Sequence, residues 1–85
     1  MIKILIADDH ALVREGLKQI VADTSDIVVA GEAVSGQEVL EQVRKGDYDL
    51  ILLDISMPGR GGIDTLKELK IEKPKLPVLV LRGQQ

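Results

Sequence analysis

Four apolar runs set the terms on which this chain can fold. Ile4-Leu5-Ile6-Ala7, Ile27-Val28-Val29-Ala30-Gly31, Leu50-Ile51-Leu52-Leu53 and Leu76-Pro77-Val78-Leu79-Val80-Leu81 are apolar at successive positions instead of alternating with polar residues. A strand of that kind needs cover on both faces, which is the mark of a parallel sheet wrapped by helices. The segments between the runs supply the helices. Leu12, Val13, Leu17, Ile20 and Val21 recur at helical spacing with Arg14, Glu15, Lys18 and Gln19 between them. Ser35-Gly36-Gln37-Glu38 matches a Ser-x-x-Glu capping box ahead of Val39, Leu40 and Val43. A third helix carries Ile63, Leu66 and Leu69 or Lys70 on one side and stops at Lys73-Pro74. Thr24-Ser25-Asp26 and the run from Met57 to Gly62 read as breaks and turns.

The resulting order is β-α-β-α-β-α-β, an open α/β sheet with helices on both faces. At 85 residues the chain amounts to one small domain with little stability in reserve. Ligands of such sheets bind at the carboxyl ends of the strands. Asp8 and Asp9 follow the first strand and Asp54 closes the third, so all three carboxylates fall on that edge. In the commoner doubly wound orders the first and third strands are neighbours, which would place the three within a few ångströms of one another. Clustered anions of this kind call for a hard divalent cation with oxygen ligands, and Mg²⁺ or Mn²⁺ fits. A carboxylate beside such an ion is a credible nucleophile for phosphoryl transfer.

Simpler readings compete. Asp8 or Asp9 alone could cap the first helix. Asp54 shifts the balance, because an acid ending a four-residue apolar strand is costly without a partner. His10 reads as a loop or helix-start residue, and Asp64 and Glu68 as a solvated face.

Several function classes lose support. With 14 acidic and 11 basic residues, a net charge of −3 and Tyr48 as the one aromatic residue, the chain offers neither a basic stripe nor stacking rings for nucleic acid. No G-x-G-x-x-G or P-loop pattern follows a strand. Met1 to Ile6 reaches Asp8 too soon for a signal peptide or a membrane span. The absence of cysteine fits a reducing compartment, and the expected location is cytoplasmic.

Ile4-Leu5-Ile6-Ala7-Asp8-Asp9-His10, Asp49-Leu50-Ile51-Leu52-Leu53-Asp54-Ile55-Ser56-Met57-Pro58-Gly59 and Leu76-Pro77-Val78-Leu79-Val80-Leu81 together resemble the receiver domain of bacterial two-component response regulators. Asp-Asp-His followed by Val13-Arg14-Glu15-Gly16-Leu17 is most similar to the NarL/FixJ-like subgroup, whose receivers usually precede a LuxR-type helix-turn-helix DNA-binding domain. The resemblance spans residues 2 to 81 and implies a flavodoxin-like (CheY-like) fold. It implies that Asp54 accepts phosphate from a sensor histidine kinase or a small phosphodonor. It further implies that Asp9 holds Mg²⁺ directly, Asp8 largely through water, and Ser56 through its backbone carbonyl. The Ser56 side chain would then flank the acyl phosphate and govern access of water to it.

The resemblance ends at the fourth strand. Where the family has a Ser or Thr hydroxyl that binds the phosphoryl group, counting from Pro77 gives Arg82, the first residue of an atypical Arg-Gly-Gln-Gln tail. The family's final helix, strand and helix, and the lysine that pairs with the acceptor, have no counterpart here. The expectation is therefore an incomplete receiver over residues 1–85, truncated after the fourth strand, with poor or uncoupled phosphorylation. Such a fragment would self-associate through the Val78 to Leu81 edge. Two alternatives stand beside it: a structural or assembly fragment that is not phosphorylated, and a small phosphatase with an Asp nucleophile. The phosphatase would need a second Asp two residues after the first, where this chain has Ser56.

Overall fold

The computed structural model describes residues 1–55 and 62–81. Ser56 and Arg82, both singled out above, lie outside the described residues. Seven elements follow in the expected alternation: β1 (Ile2–Ala7), α1 (Ala11–Ala22), β2 (Ile27–Ala33), α2 (Gly36–Lys45), β3 (Leu50–Asp54), α3 (Gly62–Glu72) and β4 (Val78–Leu81). All strand pairs are parallel, and the sheet order is β2-β1-β3-β4.

Alternation along β1 and β3 divides the core in two. Leu5, Ala7, Ile51 and Leu53 face α2 and α3, where they meet Val39, Leu40, Val43 and Leu69. Ile4, Ile6 and Leu52 face the other way, toward Leu17 and Val21 of α1. The first side is closed and the second is sparse. No residue of α1 is fully buried, and Leu12 and Ile20, both counted on the apolar stripe, are 88% and 66% exposed. Among the described residues α1 is the one helix on that side, and Leu12, Val13 and Ile20 of its apolar stripe are exposed.

Local signals in the sequence account for the element ends. The Ser35 hydroxyl accepts the Glu38 N–H (3.2 Å), and the Glu38 carboxylate accepts the Val34 N–H (3.0 Å), one residue ahead of the N-cap itself. At the end of α1 the Thr24 N–H and hydroxyl both donate to the Val21 carbonyl. In α3 the buried face is Gly62, Thr65 and Leu69, with Leu66 half-buried, while Ile63 is 51% exposed. The expected stripe through Ile63 is thus corrected: the helix is rotated so that Gly62 can lie directly against the backbone of Ile55, where a side chain would collide.

β2 continues past Gly31 to Ala33, two residues beyond the expected run, with a register shift that leaves Ala30 out of the pairing with β1. Gly31 has no side chain to obstruct Tyr48, whose hydroxyl donates to Gln42 (2.8 Å) above it. At the sheet edge, β4 pairs with β3, and among the described residues nothing pairs with its other side. Leu79 and Val80 are exposed there. Among the described residues no helix is long and apolar enough to cross a membrane.

Candidate functional site

The strand order reverses between β1 and β3, and the carboxyl ends of these two neighbours form the site. Asp8 follows β1 directly, and its N–H makes the last bond toward β2, to the Ala33 carbonyl (3.0 Å). Asp54 is the last residue of β3, paired with Leu81 of β4. Both acids are buried, and Asp9 is partly so. One carboxylate oxygen from each of Asp8, Asp9 and Asp54 and one ring nitrogen of His10 all lie within 4.8 Å of one another.

His10 is the residue that sequence reasoning set aside. It is indeed the N-cap of α1, but with no side-chain capping bond. Its Nδ1 instead contacts the Asp8 carboxylate at 3.0 Å, Asp9 at 3.1 Å and Asp54 at 3.8 Å. The hydrogen bond to Asp8, followed by the charge of Asp9, raises the imidazole pKa above its ordinary value. The signal available in the sequence was adjacency alone: a residue that turns the chain off a strand end passes over whatever that end carries.

Neither Asp8 nor Asp9 is the helix cap, although Asp8 Oδ1 does accept the His10 N–H at 2.8 Å in a local turn. Asp9 Oδ1 is buried with no hydrogen-bond partner among the described residues; its contact with the imidazole has ion-pair distance only. A buried carboxylate oxygen in that condition is costly unless something else binds it. Three carboxylates converging with an unsatisfied oxygen form a hard-donor set, and the residues present therefore fit a divalent ion of the Mg²⁺ or Mn²⁺ type.

A second group, found by neither motif nor spacing, borders the acids. The Arg14 guanidinium donates to the Asp8 backbone carbonyl (2.7 Å) and to Glu32 of β2 (3.1 Å). Lys18 also binds Glu32 (3.0 Å) and Glu15. The hydrogen bond from Lys18 is the main cause that holds the Glu32 carboxyl below its usual range; burial opposes it, and Arg14 adds to the lowering.

Comparison with known proteins places this geometry. The sequence pattern of the response regulator receiver domain matches residues 4–85. The response regulator GacA of Pseudomonas syringae is 38% identical over 81 residues, 95% of this chain and 38% of that protein. The nitrate/nitrite response regulator NarL of Escherichia coli is 46% identical over 67 residues, 79% of this chain and 31% of that protein. Among solved structures, RcsB of Salmonella enterica bound to the promoter rprA with phosphomimetic BeF3⁻ superimposes with a TM-score of 0.92 at 28% identity, covering 100% of this chain and 72% of that one. The response regulator domain of Thermotoga maritima CheB gives 0.90 at 33% identity, covering 96% and 60%. The chain thus spans well under half the length of these curated relatives.

Proposed function

The chain belongs to the response regulator receiver family, and from that premise we propose that Asp54 is the residue on which it accepts a phosphoryl group. The observation that carries this reading is the placement of Asp54: a buried carboxylate at the end of β3, within 4.8 Å of two further acids on the neighbouring strand end. One Asp54 oxygen attacks the phosphorus of a phosphohistidine or a small acyl phosphate. The P–O bond of a mixed anhydride forms, the bond to the donor breaks, and the imidazole or carboxylate leaves with the electron pair. Asp8, Asp9 and Asp54 would hold Mg²⁺ or Mn²⁺, with the backbone carbonyl of Ser56 as the further ligand that the family resemblance implies. When bound, the ion offsets the negative charge of the carboxylates and of the transferred oxygens. Burial keeps Asp54 away from bulk water and slows hydrolysis of the anhydride.

The proposed donor is a sensor histidine kinase, in the cytoplasm, and the proposed output is control of a DNA-binding domain. RcsB, named above as bound to a promoter, supports the latter as a relative of similar fold. A net charge of −3 over the 85 residues does not favour direct contact of this segment with DNA. Incubation with acetyl phosphate and Mg²⁺, read by intact mass, tests the assignment. A substoichiometric phosphoryl adduct on the wild type that disappears in Asp54→Ala is expected. An adduct that persists in the variant refutes it.

A second reading, as an assembly module, is favoured by one observation. Leu79 and Val80 of β4, the edge strand among the described residues, and Leu12 and Ile20 on α1 are all exposed. An edge strand with apolar side chains is a template for pairing, and self-association through β4 is the proposed consequence.

A further inference from the structure

The β1–β2 ladder stops where the acidic site begins. Its last bond is the Asp8 N–H to the Ala33 carbonyl, and the paired register runs no further than Ala7 opposite Ala33. The next backbone group along, the Asp8 carbonyl, therefore has no strand to bond. Arg14 takes it up from α1, one turn into the helix, with Nη1 at 2.7 Å. The same guanidinium is aimed by a second bond, from Nε to Glu32 Oε1 at 3.1 Å, and Glu32 is held on its other oxygen by Lys18 at 3.0 Å. Arg14 is mostly buried, its side chain 18% exposed.

We propose that Arg14 is a positioning residue for the divalent-cation site, fixing the peptide from which the Asp8 and Asp9 carboxylates project, with Glu32 as the group that orients it. The inference rests on the reading of these two acids as metal ligands, and it adds how they are held. Asp8 and Asp9 lie between the end of β1 and the first turn of α1, and beyond the Asp8 N–H no ladder bond holds their backbone among the described residues. The Asp8 carbonyl and the Asp9 N–H share one peptide plane. Anchoring that carbonyl to α1 on one side and, through Glu32, to β2 on the other defines the direction in which both side chains leave the backbone. Groups that orient ligands without touching the metal commonly carry a tenfold or larger share of its affinity.

The fork of the guanidinium is what the role requires. One planar group must reach a carbonyl and a carboxylate at once, and an ammonium on a single stem cannot reproduce both bonds in the same geometry. Arg14→Lys keeps the positive charge near the acids and removes the fork, which separates positioning from simple electrostatic attraction. Glu32→Gln keeps an acceptor for Nε but loses the charge that holds Arg14 and Lys18 together.

The test is a Mn²⁺ and Mg²⁺ titration of the folded chain, followed by the Asp8 and Asp9 amide resonances, with hydrogen exchange at the same amides measured without added metal. Arg14→Lys should weaken the apparent affinity about tenfold and speed exchange at Asp8, whose N–H is bonded to the Ala33 carbonyl. Glu32→Gln should move both readouts in the same direction by less. The double variant should be no worse than Arg14→Lys alone, because the two act as one unit. Wild-type affinity in Arg14→Lys overturns the proposal, as does additive loss in the double variant. If the wild type itself binds neither ion, the metal-site reading falls. The positioning of the Asp8–Asp9 peptide is then decided by exchange, and unchanged exchange in both single variants overturns it. Should Arg14→Lys fail to fold, Glu32→Gln carries both readouts, and no change in either refutes the role.

Discussion

Replacing Gly62 by alanine adds one methyl group at a helix position, a change that ordinarily stabilises. In an open helical site alanine is favoured over glycine by about 0.8–1 kcal/mol. Gly62, however, is buried at the first turn of α3, and a methyl group there would run into the Cα, carbonyl carbon and oxygen of Ile55. These are backbone atoms and cannot rotate aside. Either α3 retreats from the sheet, opening the contact of Leu69 and Thr65, or the peptide after Asp54 moves. Overpacking costs about 1–3 kcal/mol, and a collision with three backbone atoms falls in the upper half of that range, about 2–3 kcal/mol, so after the propensity gain the net loss is roughly 1–2 kcal/mol. For a domain of this size that corresponds to a fall in Tm of roughly 4–15 °C.

Gly16 provides the control. It lies in α1 with nothing within 4 Å of an added methyl group. Gly16→Ala should stabilise by about 0.5–1 kcal/mol and raise Tm by a few degrees. Thermal unfolding by circular dichroism at matched protein concentration reads both variants. The same substitution in two helices should thus have opposite signs. A Gly62→Ala protein as stable as the wild type, or a shift of equal sign in both, refutes the argument that the close approach to Ile55 sets the rotation of α3.

Three further outcomes are expected. Lys18, then Arg14, depress the folded pKa of Glu32 below its unfolded value of 4.5; the stability from this pairing is therefore present above about pH 4.5 and lost as pH falls toward the depressed value. Glu32→Gln should flatten the stability profile in that acid window and leave its shape above it unchanged, and an unaltered acid limb would count against the pairing. Asp54→Asn should reduce Mn²⁺ broadening of the resonances near Asp8 and Asp9, since it removes a carboxylate from the converging set; broadening equal to the wild type would exclude Asp54 as a ligand. Val80→Lys, at an exposed position on the β4 edge, should shift the molar mass by light scattering toward monomer, and an assembly insensitive to it must use another surface.

The order of elements was legible in the sequence because it depends on local pattern. Continuous apolar runs gave four strands, and the Ser35–Glu38 box gave the start of α2, where both of its bonds are made by neighbours within four residues. The position of Asp8, Asp9 and Asp54 at strand carboxyl ends followed from the same runs. Face assignments fared less well where neighbours outvoted periodicity. Ile63 has the hydropathy of a core residue, yet the buried positions are Gly62 and Thr65, because the backbone of Ile55 admits no side chain beside it. Leu12 and Ile20 sit on the apolar stripe of α1 but are exposed among the described residues. The site was only partly readable for the same reason. Its distances exist because β1 and β3 pair directly, with Ala7 opposite Leu53, which carries Asp54 to Asp8 across 46 residues of chain. His10 joins the acids through the turn that follows β1, and Arg14 reaches the Asp8 carbonyl only because α1 packs over β2 and brings Glu32 within its reach. Periodicity records what each segment must bury; which side chains meet across the ends of the strands is decided when the sheet sets its order and register.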